Sequence, residues 1–189
     1  MKKKEKIIFG TDLDGVVFNT VPHYLQRLYK RHKIKVNQSD IKNSNIAASV
    51  GIDKDIVEKA IDFVLFKGNY ILEKNVELLS EIAKYCSKPL YFISSRPNRY
   101  RDISILELNK WFSDIEYKLI LSDTKHLVVN SLGINIFVED GDNYIEDLTN
   151  HTKCIILIYD KPWNRHLKDI ERTKRVRDWK GILKFVEER

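Results

Sequence analysis

The chain has 189 residues, 43% of them hydrophobic and 11% aromatic, enough for one full core with a small appendage but a tight fit for two independent domains. No apolar run approaches the roughly 18 residues a membrane span needs. The Lys-rich opening Met1-Lys2-Lys3-Lys4-Glu5-Lys6 leads only into the short segment Ile7-Ile8-Phe9, so a soluble, unexported, cytoplasmic protein is expected. A formal charge of +6 suits either a nucleic-acid surface or the approach of a small anionic substrate.

In chain order, β-rich runs at 6–11, 90–94, 117–121, 135–138 and 154–159 alternate with amphipathic segments, the pattern of an α/β fold with a five-stranded parallel sheet. Ile7-Ile8-Phe9 and Ile155-Ile156-Leu157-Ile158 are apolar without alternation, as strands covered on both faces must be. Between Thr20 and Pro89 only helical patterns occur, at 24–31, 53–66 and 73–85. This interval reads as a helical cap (residues 21–87) inserted into a core formed by residues 1–20 and 88–189. Within it, Asn37 to Asn45 reads as a loop, with Ser39-Asp40 or Asp53 available to cap the next helix. The basic concentrations at Lys2–Lys6 and at Arg172, Lys174, Arg175 and Arg177 read as solvated surface. Trp163 and Trp179 are expected to pack the last loop and helix on the core. Cys86 and Cys154 lack redox-pair spacing and are expected to be reduced. The five histidines form no ligand spacing, and His23 and Tyr24 open the cap close to the first acidic loop.

In open parallel sheets, reactive groups lie just past the carboxyl ends of the strands. The first strand ends in Asp12-Leu13-Asp14-Gly15, the second in Ser94-Ser95-Arg96 and the fourth in Glu139-Asp140-Gly141-Asp142, while Lys125 opens a helical segment. Carboxylates gathered this closely raise one another's pKa unless a cation joins them. Mg²⁺ fits, taking oxygen ligands from Asp12, a backbone carbonyl near Asp14, and Asp140. The absence of His and Cys from this set argues against zinc. Asp12 is then the candidate nucleophile for a phosphoryl group and Asp14 the candidate acid and base. Ser94 and nearby amides would bind phosphoryl oxygens, and Lys125 would balance negative charge. Arg96 either binds substrate phosphate or pairs with an acid. Ser94 has a turn or cap as its alternative role, Lys125 a solvated helix position and Asp142 a helix cap.

Asp12-Leu13-Asp14-Gly15-Val16, Ile93-Ser94-Ser95-Arg96-Pro97, Lys125 and Phe137-Val138-Glu139-Asp140 resemble the four ordered motifs of the haloacid dehalogenase (HAD) superfamily. The Ser94-Ser95-Arg96-Pro97 form of the second motif, together with Asp160-Lys161-Pro162-Trp163-Asn164-Arg165 and Arg177-Asp178-Trp179, is similar to the 5'(3')-deoxyribonucleotidase group and its bacterial relatives. The resemblance implies a Rossmann-like three-layer core with a helical cap after the first motif. It also implies Asp12 as nucleophile, Asp14 as acid/base, Asp140 as metal ligand, and a nucleoside monophosphate as substrate. Ser95 and Arg96 are the candidate substrate-binding residues. Val16 stands where that family commonly has Thr, and Glu139-Asp140 where a pair of Asp is common, so Glu139, Asp142 and Asp147 offer alternative metal registers. A sugar phosphate, a nucleic-acid phosphate end, and a non-catalytic nucleic-acid- or partner-binding role are the rival readings, and a homodimer is compatible with the sequence.

Overall fold

The computed structural model describes residues 6–189; Met1 to Glu5, most of the basic opening, lie outside them. Six parallel strands, β1 (Phe9–Thr11), β2 (Leu90–Ser94), β3 (Tyr117–Leu121), β4 (Ile136–Glu139), β5 (Ile155–Tyr159) and β6 (Thr173–Val176), form one sheet in the order β3-β2-β1-β4-β5-β6. This is an α/β Rossmann-like fold with one strand more than the five expected. The additional strand, Thr173-Lys174-Arg175-Val176, is a short sheet edge with only Val176 buried, so its polar sequence carries no core signal, and charge there blunts edge pairing.

Successive strand residues face opposite layers. Phe92, Val138 and Leu157 join the core beneath α4 (Leu79–Tyr85), α5 (Arg101–Phe112) and α8 (Trp179–Glu187). Ile93, Phe137 and Ile156 join a second core under α6 (Lys125–Leu132) and α7 (Asp142–His151). Both faces are therefore covered, which is why the strands read as continuous apolar runs.

Between β1 and β2 run α1 (Val21–His32), α2 (Ile46–Val50), α3 (Lys54–Lys67) and α4. Asp53 caps α3, its carboxylate accepting from the Asp55 amide at 2.8 Å. Ser39 and Asp40 instead lie in a short 3-10 turn closed by Asn37 and Asp40. The helical pattern expected over 73–85 is broken where Asn75 takes a left-handed conformation (φ 61°), so that α4 begins only at Leu79 after a 3-10 turn. α1 and α3 pack on one another, whereas α4 packs on α8.

The basic residues around β6 are not uniformly solvated. Arg172 donates to the carbonyls of Thr149 and Thr152 at the end of α7. Arg175 donates to Asp160, to Asn164 and to the Leu167 carbonyl, tying down the loop after β5. Trp163 and Trp179 are both buried, Trp179 donating to the Val16 carbonyl at 2.9 Å. No helix among the described residues is long and apolar enough to cross a membrane.

Candidate active site

The carboxyl ends of β1, β2 and β4 converge on one cavity of about 440 Å³. Pairing of β1 with β4 continues one residue past the strand, the Asp12 amide donating to the Val138 carbonyl at 2.9 Å, which fixes Asp12 beside the end of β4. Lys125, the first residue of α6, is 1% exposed and places Nζ 2.6 Å from both Asp12 Oδ1 and Glu139 Oε2. It is a buried bridge between two carboxylates, not a solvated helix residue. The other Glu139 oxygen accepts the amides of Asp140 and Gly141 at 3.1 and 3.0 Å, turning the chain so that the Asp140 side chain also faces Asp12.

One carboxylate oxygen from each of Asp12, Glu139 and Asp140 can be taken so that all three lie within 4.8 Å of one another. Burial pushes the Asp12 carboxyl up to about 7, with Lys125 opposing the rise and Glu139 and Asp14 adding to it. Asp140 is raised well above the ordinary carboxylate range by burial first, then by repulsion from Glu139 and Asp12. Burial alone would depress the Lys125 ammonium, but the two carboxylates outweigh it and raise its pKa. Fully ionised, three buried carboxylates against one ammonium would carry excess negative charge, which the raised Asp12 and Asp140 relieve by protonation and which a hard divalent cation on this oxygen-only donor set would neutralise. Gly15 makes the approach possible: it sits at φ +86°, and a Cβ there would fall 2.1 Å from Asp140 Oδ2.

Asp14 stands apart from this cluster. Arg96, whose side chain is 2% exposed, grips it with two hydrogen bonds, Nε to Oδ2 at 2.6 Å and Nη2 to Oδ1 at 2.7 Å. A third contact from Arg96 goes to the Ser104 hydroxyl at 2.8 Å. Of the two roles open to Arg96, the structure shows the ion pair with an acid. The Tyr24 hydroxyl also donates to Asp14 Oδ1, at 3.3 Å. Ser94 is buried and accepts the Arg96 amide at 3.2 Å, so its hydroxyl closes the turn; Ser95 is the neighbour that lines the cavity.

The loop after β5 is a scaffold for Asp140. Trp163 Nε1 donates to Asp140 Oδ2 at 3.2 Å, and Asn164 Nδ2 to the Asp140 carbonyl at 2.9 Å. Lys161, in the same loop, forms a buried ion pair with Glu73, at the chain's return from the inserted helices. Opposite this polar floor the cavity is roofed by Val21, Tyr24, Ile41, Ile46, Ile61 and Leu65 from the inserted segment. That segment is fastened to the start of α7, where Asp142 accepts the Ser44 amide at 3.0 Å and Asn143 accepts the Ser44 hydroxyl at 2.9 Å. Asp142 thus anchors the insert, and Asp147 lies elsewhere on α7; Glu139 is the residue that joins Asp12 and Asp140. His23 lines a separate cleft of about 220 Å³ between α1 and α3, whereas Tyr24 faces the main cavity.

A family model described as 5' nucleotidase, deoxy (pyrimidine), cytosolic type C protein (NT5C) matches residues 6–187. The chain belongs to this family. It is a phosphatase of the HAD superfamily. No curated protein matches it. Among solved structures it is similar to a protein assigned as a phosphoglycolate phosphatase from Haemophilus somnus (14% identity, TM-score 0.64, 95% of this chain and 97% of that one). It is also similar to the magnesium-bound YfnB of Bacillus subtilis, assigned as a HAD hydrolase (12% identity, TM-score 0.64, 97% and 100%). A HAD hydrolase of family IA, variant 3, from Entamoeba histolytica aligns at 14% identity with a TM-score of 0.59 (96% and 99%). These likenesses show the fold.

The sequence offered Glu139 as one of several metal registers and placed Tyr24 beside the first acidic loop, but the holds of Trp163 and Asn164 on Asp140 were missed. Both contacts join residues in different loops, 23 and 24 positions apart, which no local spacing signals.

Proposed function

We propose that this NT5C phosphatase dephosphorylates nucleoside monophosphates through an aspartyl-phosphate on Asp12, with Mg²⁺ as cofactor. The observation that carries the reading is a buried carboxylate held by Lys125 at the floor of a cavity whose roof is apolar. A phosphate can sit on such a floor while a flat base and a sugar contact the roof, and about 440 Å³ falls within the size range of small-ligand sites.

Asp12 Oδ2, the oxygen that Lys125 does not hold, attacks phosphorus. Asp14, protonated from water once one of its contacts opens, gives that proton to the departing alkoxide as the ester P–O bond breaks. In the second half a water gives its proton to Asp14 and attacks the same phosphorus, breaking the Asp12 O–P bond and releasing inorganic phosphate. Both Asp14 oxygens already accept hydrogen bonds from Arg96 and Tyr24. Proton transfer to the leaving group therefore needs one of these contacts to open, and Arg96 is the residue that orients this acid. Ser95 replaces Ser94 in our assignment as the hydroxyl on the phosphoryl oxygens, because it lines the cavity.

Asp12 and Asp140, with Glu139 beside them, supply the carboxylate oxygens that would hold Mg²⁺, and a backbone carbonyl near Asp14 completes the proposed set. The bound ion would neutralise the phosphoryl oxygens and the cluster's excess negative charge. We take the substrate-closing cap to be α1–α3, with α4 belonging to the core through its packing on α8. Closure over the site excludes water during phosphoryl transfer.

The test is phosphate release from a panel of deoxy- and ribonucleoside 5'- and 3'-monophosphates, sugar phosphates and 5'-phosphorylated oligonucleotides, in Mg²⁺ or EDTA. Mg²⁺-dependent release from a nucleoside monophosphate subset supports the reading. Preference for a sugar phosphate or for oligonucleotide ends contradicts it.

A further inference from the structure

We infer that the seam between α6 and α7 carries a binding site for a borderline divalent transition ion of the Zn²⁺ class, built from His126, Asp147 and His151. The sequence offered no ligand spacing for the histidines because the two are 25 positions apart; the fold brings them together around one aspartate. Asp147 and His151 are four residues apart on α7, so they share a face one turn from each other. His126, the second residue of α6, reaches the same point from the neighbouring helix, its Nδ1 lying 2.6 Å from Asp147 Oδ2. His151 Nδ1 lies 3.1 Å from the other oxygen, Asp147 Oδ1, and 2.9 Å from the Asp147 backbone carbonyl, a contact that an ion bound at this nitrogen would replace. The imidazole centroids are 5.0 Å apart.

One ligand atom from each residue can be chosen so that all lie within 4.8 Å of one another. A tetrahedral ion with bonds of about 2.0–2.1 Å spaces its ligands roughly 3.3 Å apart, so the 2.6 and 3.1 Å contacts to Asp147 would open slightly to admit it. Two imidazoles and one carboxylate form the N/O donor set that transition ions prefer, unlike the all-oxygen cluster around Asp12. Partial exposure, 22% for His126, 31% for Asp147 and 58% for His151, leaves a coordination position for water. Asn130 Nδ2 on α6 donates to the His151 carbonyl at 2.9 Å, holding the two helices in the register the site needs. An ion here would tie the end of α7 to the first turn of α6, one residue beyond Lys125.

Titrating Co²⁺ into the protein in excess Mg²⁺, followed by visible absorption, tests the site. The expected result is one equivalent bound with the bands of four-coordinate Co²⁺, displaced by Zn²⁺. The bands should be lost in His151→Ala and His126→Ala and kept in Asp12→Asn. His151 is the most exposed of the three, so His151→Ala is the variant least able to disturb folding, and far-ultraviolet circular dichroism verifies this. Bands that survive both histidine changes, bands lost only in Asp12→Asn, or no bands in the parent protein would overturn the inference and leave plain His–Asp contacts.

Discussion

Replacing the nucleophile should abolish catalysis and yet stabilise the metal-free protein above neutral pH. The Asp12 carboxyl is raised from 3.8 to about 7, chiefly by burial, so the folded state favours its protonated form. Stability from that form is fully present below pH 3.8 and lost as pH rises through about 7. Roughly three pKa units at about 1.4 kcal/mol each make about 4 kcal/mol. Asparagine imitates the neutral carboxyl and can still accept from Lys125, so Asp12→Asn escapes this cost. Urea denaturation in EDTA at pH 4, 5, 6, 7 and 8 should show the two proteins converging only near pH 4, with a gap of about 2 kcal/mol already open at pH 5. The variant should become the more stable by up to about 4 kcal/mol at the alkaline end. Saturating Mg²⁺ should stabilise the parent protein more than the variant and narrow the gap. A variant less stable than its parent at pH 8, or a difference independent of pH, would refute the electrostatic account of the cluster.

Asp14→Asn should behave in the opposite way. It leaves the buried Arg96 guanidinium facing a neutral amide, lowering stability by about 1–3 kcal/mol in urea, with kcat reduced about 10²–10⁴-fold. Gly15→Ala places a Cβ 2.1 Å from Asp140 Oδ2 at a φ of +86°. The backbone strain is about 1–2 kcal/mol, but the displaced carboxylate should lower kcat/KM on the order of 10²-fold, so activity should fall more than thermal stability. Trp163→Phe removes the donor to Asp140 and should weaken Mg²⁺ activation about 10–100-fold, read as the Mg²⁺ concentration for half-maximal rate.

Local pattern carried the sheet where the strand sequence is apolar: the buried β2 and the half-buried edge strand β3 have the bounds their apolar runs suggest. It failed at β6, because an edge strand made of Thr, Lys and Arg has almost nothing to bury. It failed again at the start of α4, because the left-handed turn at Asn75 leaves no trace in hydrophobic period. The acidic and basic residues at the strand ends were legible because a parallel sheet forces them to one edge. The choice between adjacent hydroxyls was not, since Ser94 and Ser95 differ only in which side of the turn they face. The grip of Arg96 on Asp14 spans 82 positions, and that of Trp163 on Asp140 joins two loops. Neither distance is written in spacing.

Passage of phosphate through Asp12 can be trapped by acid-quenching the Mg²⁺-loaded enzyme during turnover of a ³²P-labelled nucleoside monophosphate. Acid-stable, hydroxylamine-labile label is expected on the peptide containing Asp12, with none in Asp12→Asn. Turnover of the nucleotide with no covalent label in the parent enzyme, or with label undiminished in the variant, would contradict it.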